Sequence, residues 1–360
     1  MLWRDTTAQR AVKGTDFTGW RRDTGESQLG KDKEHQVIRI THIALFPDLL
    51  CTMKDSNMVT ILGAGGAIGS ELASRLLART EPLRLVSRKP KQVTGAETMA
   101  ADLTDPASTA AAVTGSRIVF LLAGLKYNLE TWRKQWPPVM RNTIEACKKA
   151  NARLVFFDNV YMYGKVDGPM TEQTPFRPSS RKGDVRAEIA TMLLREMAAG
   201  DLTAMIARAP DFYGPNVKTG VPNLLIFDKL SKGKRAMCLG SDSTRHSYAY
   251  TPDCAQALVM LSESDDAWNQ TWHVPTAPNP PTGKQFIEMA ARALNTAPKY
   301  FVLNRLLLAM AGWFDGTIAE LREMLYQNEF DYLFDSSKFT ARFGMQPASY
   351  DEGIRQSVRT

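Results

Sequence analysis

The stretch MVTILGAGGAIGSELASRLL, residues 58–77, restricts this chain more than any other. Its first part, Val59 to Leu62, is β-branched and apolar, as a short buried strand requires. Gly63, Gly66 and Gly69 then follow at intervals of three, and an Ala/Leu-rich segment with apolar residues at helical spacing comes after them. A strand that enters a helix through such a turn needs each glycine for a different reason. The first permits the tight turn, the second lets backbone N–H groups approach a pyrophosphate, and the third removes a Cβ from between helix and strand. Ala67, Ile68 and Gly69 would open the helix, at whose positive end a dinucleotide phosphate would rest. The pattern is G-x-x-G-x-x-G rather than G-x-G-x-x-G, because Ile68 stands where the latter needs a glycine after Gly63 and Gly65.

Downstream the chain alternates between strand and helix patterns, which implies an α/β fold with a doubly wound parallel sheet. Strands are expected at 83–87, 97–101, 117–123, 153–158, 202–208 and 270–274. Helices are expected at 106–113, 139–150, 187–199 and 252–264. Residues 214–243 and 282–360 break the alternation and read as helix and loop, with helical pieces at 285–294, 318–326 and 350–358. This gives a dinucleotide-binding Rossmann domain of residues 58–212 plus 245–275. A smaller, mainly helical C-terminal substrate lobe takes 213–244 plus 276–360. Residues 1–57 are polar and without sustained period, so they read as a disordered extension, and their acids fit no targeting peptide.

Composition removes several classes of function. With 44% apolar residues the chain can bury a substantial core, yet no run reaches the roughly 20 apolar residues a membrane span needs. Cys51, Cys147, Cys238 and Cys254 are far apart and form no C-x-x-C pair, which implies reduced thiols in a cytoplasmic setting. His35, His42, His246 and His273 are equally scattered, so no metal site is expected. The net charge of +7 comes from bases interspersed with 38 acids, without an aromatic-interleaved stripe. That distribution suits a small anionic ligand better than nucleic acid.

From Met58 onward an ordered series of motifs resembles the extended short-chain dehydrogenase/reductases of the NAD-dependent epimerase/dehydratase type. The series runs GAGGAIG at 63–69, ADLTD at 101–105, LLAG at 121–124, NTIEACKKA at 142–150, DNVYMYG at 158–164, RAPDFYGP at 208–215 and RHSYAYTPDCAQAL at 245–258. The resemblance implies that Asp102 and Leu103 contact the adenine and that Ala123 and Gly124 let the cofactor cross the fourth strand's end. At the end of the second strand an acid would bind the ribose 2′-OH of NAD, but Ser87 and Arg88 stand there. A guanidinium pairs bidentately with a 2′-phosphate, so Arg88, with Lys89 or Lys91 assisting, argues for NADP(H) over NAD(H).

The catalytic positions depart from the family. Its usual Ser/Thr is Asn159, counted from Tyr163 and Gly164, and its Tyr-x-x-x-Lys pair is replaced by Lys182-Gly-Asp-Val-Arg186. The spacing of four keeps Lys182 and Arg186 on one helix face. Arginine stays charged and cannot donate the proton, whereas Lys182 beside Arg186 and an oxidised nicotinamide would lose its ammonium form more readily. The alternative is that both bases bind cofactor ribose or a substrate phosphate. Tyr161 is the rival proton donor, and Tyr161 with Lys165 has the right spacing but arrives too early. Asn159 would still polarise a carbonyl. The resemblance also places Tyr163 near the nicotinamide, and Arg245 with His246 where an anionic substrate is held.

Three readings of function follow. The first is an NADP(H)-dependent epimerase/dehydratase-like oxidoreductase acting on a small carbonyl or hydroxyl substrate, with a homodimer as its assembly. A cofactor-binding regulator or redox sensor without catalysis is the second. The third, a nucleotide-sugar epimerase or dehydratase proper, is opposed by the missing Tyr/Lys pair.

Overall fold

The computed structural model of the protein describes residues 57–311 and 320–359. Seven strands form one wholly parallel sheet: β1 (Met58–Leu62), β2 (Leu83–Ser87), β3 (Glu97–Ala100), β4 (Ser116–Leu121), β5 (Arg153–Asp158), β6 (Ala204–Arg208) and β10 (Thr271–His273). Their order is β10-β6-β5-β4-β1-β2-β3, so the chain reverses direction across the sheet between β1 and β4. A crevice opens outside the C-terminal ends of parallel strands at such a reversal, and ligands bind there.

Period-two alternation sorts the strand side chains onto two faces. Leu62, Leu121, Leu154, Phe156 and Ile206 pack under α2 (Pro106–Val113), α3 (Leu129–Ala150) and α4 (Arg181–Ala199). Val59, Ile61, Leu85, Phe120 and Met205 pack under α1 (Ala67–Leu77) and α6 (Thr251–Ser262). Each such side chain, when fully buried, contributes about 1.5–3 kcal/mol. Helices on both faces of a parallel sheet are the doubly wound arrangement read from the sequence.

Beyond the sheet, β7 (Phe212–Tyr213) pairs with β9 (Ala249–Tyr250), and β8 (Ala236–Leu239) pairs with β11 (Tyr300–Leu303). The β8–β11 pair was not legible in the sequence, where 214–243 and 282–360 read as helix and loop. Between these strands lie the four-residue α5 (Asp228–Ser231) and α7 (Gly283–Ala293), with α8 (Arg305–Ala311) after β11. Two helices begin earlier than expected. α3 continues through Pro137 and Pro138, because the carbonyls those prolines leave unbonded belong to the exposed Arg133 and Lys134, where water can replace the lost donors. α4 begins at Arg181, where the Ser180 hydroxyl caps the Gly183 N–H at 3.0 Å.

Cys147, Cys238 and Cys254 are buried free thiols, and burial pushes all three above the ordinary range. Among the described residues no helix is long and apolar enough to cross a membrane. The extension read at residues 1–57 lies outside the described residues apart from Asn57, and the helix read at 318–326 does so in part.

Candidate functional site

The turn after β1 is built as its glycines require. Gly63 has φ +93°, and its N–H bonds Val86 O at 2.9 Å. A Cβ on Gly63 would stand 2.5 Å from the Cα and N of Ala123, so the end of β4 passes too close for any side chain. A Cβ on Gly69 would meet Ala64 Cα and Gly63 O at 3.0 Å, where α1 leans on the turn. Gly65 and Gly66 are different. Both are exposed; a Cβ on Gly65 would meet nothing within 4 Å, and one on Gly66 only Gly63 O at 3.7 Å. Gly66 is also the N-cap of α1, with no side-chain cap and no acid in the first turn. Open space thus lies over a helix N-terminus whose donors remain for an anion, which is the cradle a dinucleotide pyrophosphate fits.

The remaining positions read from the sequence as cofactor contacts share the same sheet edge. Ser87 is half-buried at the end of β2, and Arg88 follows it exposed. The Asp102 carboxyl is held low by the Thr104 N–H at 2.9 Å and hydroxyl at 2.8 Å, with Arg88 adding to the effect. Leu103 is fixed through its carbonyl, which accepts from Asn142 Nδ2 at 3.0 Å. Ala123 and Gly124 follow β4, and Gly124 has no atom within 4 Å of a Cβ position. Ala67 is half-buried, while Ile68 points into the core.

Lys182 and Arg186 do lie one turn apart on α4 and are both buried, yet neither side chain is free. The Lys182 ammonium donates to Glu323 Oε1 at 2.7 Å, to Glu320 O at 3.1 Å and to the Glu320 carboxylate. It also sits 4.8 Å from the Tyr127 ring centroid. Burial is the largest single influence on Glu323 and works against its charge, but the hydrogen bonds and charges of Lys182 and Arg181 together outweigh it and hold its carboxyl low. Glu320 in turn accepts from Asn128 Nδ2 and the Leu129 N–H at the start of α3. The sequence reading set Lys182 beside an oxidised nicotinamide that would drive its proton off. In the structure its ammonium protons are taken up by the two glutamates.

Arg186 donates Nε to Asp158 Oδ1 at 2.8 Å, bonds the same oxygen through Nη2, and lies 4.4 Å from the Trp136 ring. Asp158 also faces Arg208 Nε at 3.7 Å, and Arg208 Nη1 donates to the Tyr163 hydroxyl at 2.8 Å. His273 Nδ1, 2.7 Å from Asp335 O, must donate to that carbonyl, which leaves Nε2 to accept from Tyr163 at 2.9 Å. Burial pushes His273 down to about 3 and keeps it neutral. Tyr163 is thereby a member of a buried chain, 1% exposed, rather than a lining of the crevice.

Asn159 serves the turn after β5: its Oδ1 accepts from the Tyr161 N–H at 3.1 Å. Tyr161 is half-buried, stacks on Trp132 at 6.2 Å and shares a hydrogen bond with Tyr127, and burial pushes its hydroxyl well up. Arg245 is bidentate to Asp331, with Nε at 2.9 Å and Nη2 at 2.6 Å from Oδ2. Sequence reasoning missed Asp158, Trp132, Trp136, Glu320 and Glu323. Asp158 was visible as the acid ending an apolar strand; the glutamates, 138 and 141 residues from Lys182, carried no local signal.

The model of the NAD dependent epimerase/dehydratase family matches residues 59–274. An uncharacterised protein of Sinorhizobium fredii is 26% identical over 234 residues, 58% of this chain and 65% of its own length. The chain thus spans just under two thirds of that relative. Among solved structures, the Thermus thermophilus UDP-glucose 4-epimerase in complex with NAD superposes with a TM-score of 0.69 at 20% identity, over 84% of this chain and 98% of that one. A dTDP-glucose 4,6-dehydratase of Streptomyces venezuelae with NAD bound gives 0.70 at 16% identity, over 84% and 96%. At those identities the structures carry the fold; the family rests on the sequence match and the glycine turn that opens it. The chain belongs to the NAD dependent epimerase/dehydratase family.

Proposed function

We infer that the chain binds a nicotinamide dinucleotide across the C-terminal edge of its sheet and is an epimerase/dehydratase-like oxidoreductase for a small carbonyl or hydroxyl substrate. The observation that carries this reading is the pair Gly65 and Gly66, which the fold itself leaves unconstrained over an uncapped helix N-terminus. Gly63, Gly66, Ala67, Ile68 and Gly69 would hold the pyrophosphate. Asp102, Leu103, Ala123 and Gly124 would flank adenine and ribose. Ser87 in place of an acid, with Arg88 exposed beside it, favours NADP(H) over NAD(H). The bound nicotinamide would accept or return a hydride; the protein's part is to hold it and exclude water.

A second reading is favoured by one observation. Lys182 and Arg186 are both committed to carboxylates, so the pair that usually moves the proton has none to offer. A chain that binds the dinucleotide without turning it over, as a regulator or redox sensor, suits that arrangement. Nucleotide-sugar epimerase or dehydratase activity is the third, supported by what the Thermus and Streptomyces proteins are. Purified protein should be assayed for NADPH oxidation against carbonyl compounds and for interconversion of sugar nucleotides. Turnover with any of them selects an enzyme, and tight NADPH binding with no turnover across the panel selects the regulator.

A further inference from the structure

Six large apolar side chains stand exposed among the described residues, and four of them, Phe301, Leu306, Leu307 and Met310, fall between 301 and 310. Single exposed apolar residues are ordinary, but a contiguous set marks a surface that something covers. On α8, Leu308 turns inward to a small core with Leu239 and Leu325. At 3.6 residues per turn Leu306, Met310 and Leu307 then share an arc of about 100° on the side facing away from it. On β11, Tyr300 and Val302 pack against a different core, so alternation turns Phe301 to the face of Leu303, which rests on the cluster of Leu239 and Leu308. Helix and strand thus present their exposed apolar groups around one small core. Charge of a single sign lies beside them. Lys234 and Arg235 lead into β8 and Lys299 leads into β11, where the Ala236 N–H bonds Lys299 O at 2.8 Å. All three are exposed, and none makes an ion pair among the described residues. Asp228, the only acid in residues 228–235, is taken by Lys232 at 2.6 Å. Arg235 joins the two parts of the surface, with its guanidinium 5.7 Å from the Phe301 ring centroid.

We propose that this face of α8 and the β8–β11 pair docks on the surface of an anionic phospholipid bilayer. Leu306, 69% exposed, projects from the molecule rather than lining a groove. Projecting Leu, Met and Phe side chains enter the boundary between headgroups and acyl chains, while the bases beside them meet the lipid phosphates. A second copy of this chain seated on the same face would set Lys234, Arg235 and Lys299 against their own equivalents, and like charges oppose that pairing. Docking of this kind needs no membrane-spanning segment, and it stands independently of the function proposed above.

The test is flotation of the full chain with vesicles of phosphatidylcholine alone and of phosphatidylcholine mixed with phosphatidylglycerol. The mixed vesicles should bind the chain about tenfold or more tightly than the neutral ones. Raising the salt from about 0.1 to about 1 M, which shortens the screening length from about 10 to about 3 Å, should weaken that binding. The double variants Leu306→Ser/Met310→Ser and Lys234→Glu/Lys299→Glu should each lower it about tenfold or more and leave the circular dichroism spectrum unchanged. Arg133→Glu/Lys149→Glu changes the net charge equally on exposed positions of α3 and should leave binding as it was. No binding to the mixed vesicles, or equal binding to both kinds, would overturn the proposal on the unaltered chain alone. So would binding indifferent to both test variants, or binding lost as fully in the α3 variant, which would make it a matter of net charge. Self-association that Leu306→Ser/Met310→Ser abolishes in sedimentation velocity, without vesicle binding, would assign the face to a second copy instead.

Discussion

The three glycines between β1 and α1 separate what the fold needs from what a ligand needs. Gly63→Ala places a methyl 2.5 Å from backbone atoms of Ala123 at a positive φ, so it should lower stability by several kcal/mol, read as a fall in Tm. Gly66→Ala meets only Gly63 O at 3.7 Å and should leave Tm nearly unchanged while weakening NADPH binding about tenfold or more. A Gly66→Ala protein that unfolds early would show the turn to be merely structural. Lys182 makes the opposite case, a buried cation with two partners. Lys182→Met leaves Glu320 and Glu323 facing each other and should cost about 3 kcal/mol, near the low end for a broken buried pair because both carboxylates keep some contact with water. Adding Glu323→Gln should return part of that loss, as denaturant titration of the single and double variants would show.

At the level of elements, the strands and the glycine turn were legible because their signals are local. β2 and β5 fall where the apolar runs 83–87 and 153–158 placed them, since a strand buried on both faces needs a continuous apolar stretch. The start of α3 was not legible, because Pro137 and Pro138 resemble a boundary when only neighbours in sequence are considered. Asn128 caps that helix through the Thr131 N–H at 3.0 Å and donates to Glu320, so Asn128→Ala should lower stability by about 1–2 kcal/mol in thermal melts. The partners of the candidate site were hidden for a related reason. Nothing in RKGDVR states that two acids near residue 320 will close on Lys182, and nothing in DNVYMYG states that Asn159 will hold its own turn. Spacing tells which side chains share a face, but the groups opposite that face come from distant sequence.

Over the whole molecule, the sheet gathers ionisable groups whose burial shapes its response to acid. His273 stays neutral down to about pH 3, while in the unfolded chain it takes a proton near pH 6.5. Below that value the unfolded state binds the extra proton, so stability is present above about 6.5 and falls with pH toward about 3, by up to about 1.4 kcal/mol per unit. His273→Gln should flatten that part of the acid limb in urea titrations at stepped pH; an unchanged slope would assign the acid sensitivity elsewhere. The same architecture puts the glycine turn after β1 and the Arg88 position after β2 along one edge, as a dinucleotide lying across the sheet would need. The most direct test of that account is calorimetric titration of NADPH and NADH into the wild-type chain and into Arg88→Asp. The account predicts that NADPH binds more tightly than NADH and that Arg88→Asp weakens NADPH by about 1.5–3 kcal/mol, the worth of a charged hydrogen bond, with little effect on NADH. Tighter binding of NADH by the unaltered chain would contradict the cofactor preference, and binding of neither dinucleotide would contradict the account itself.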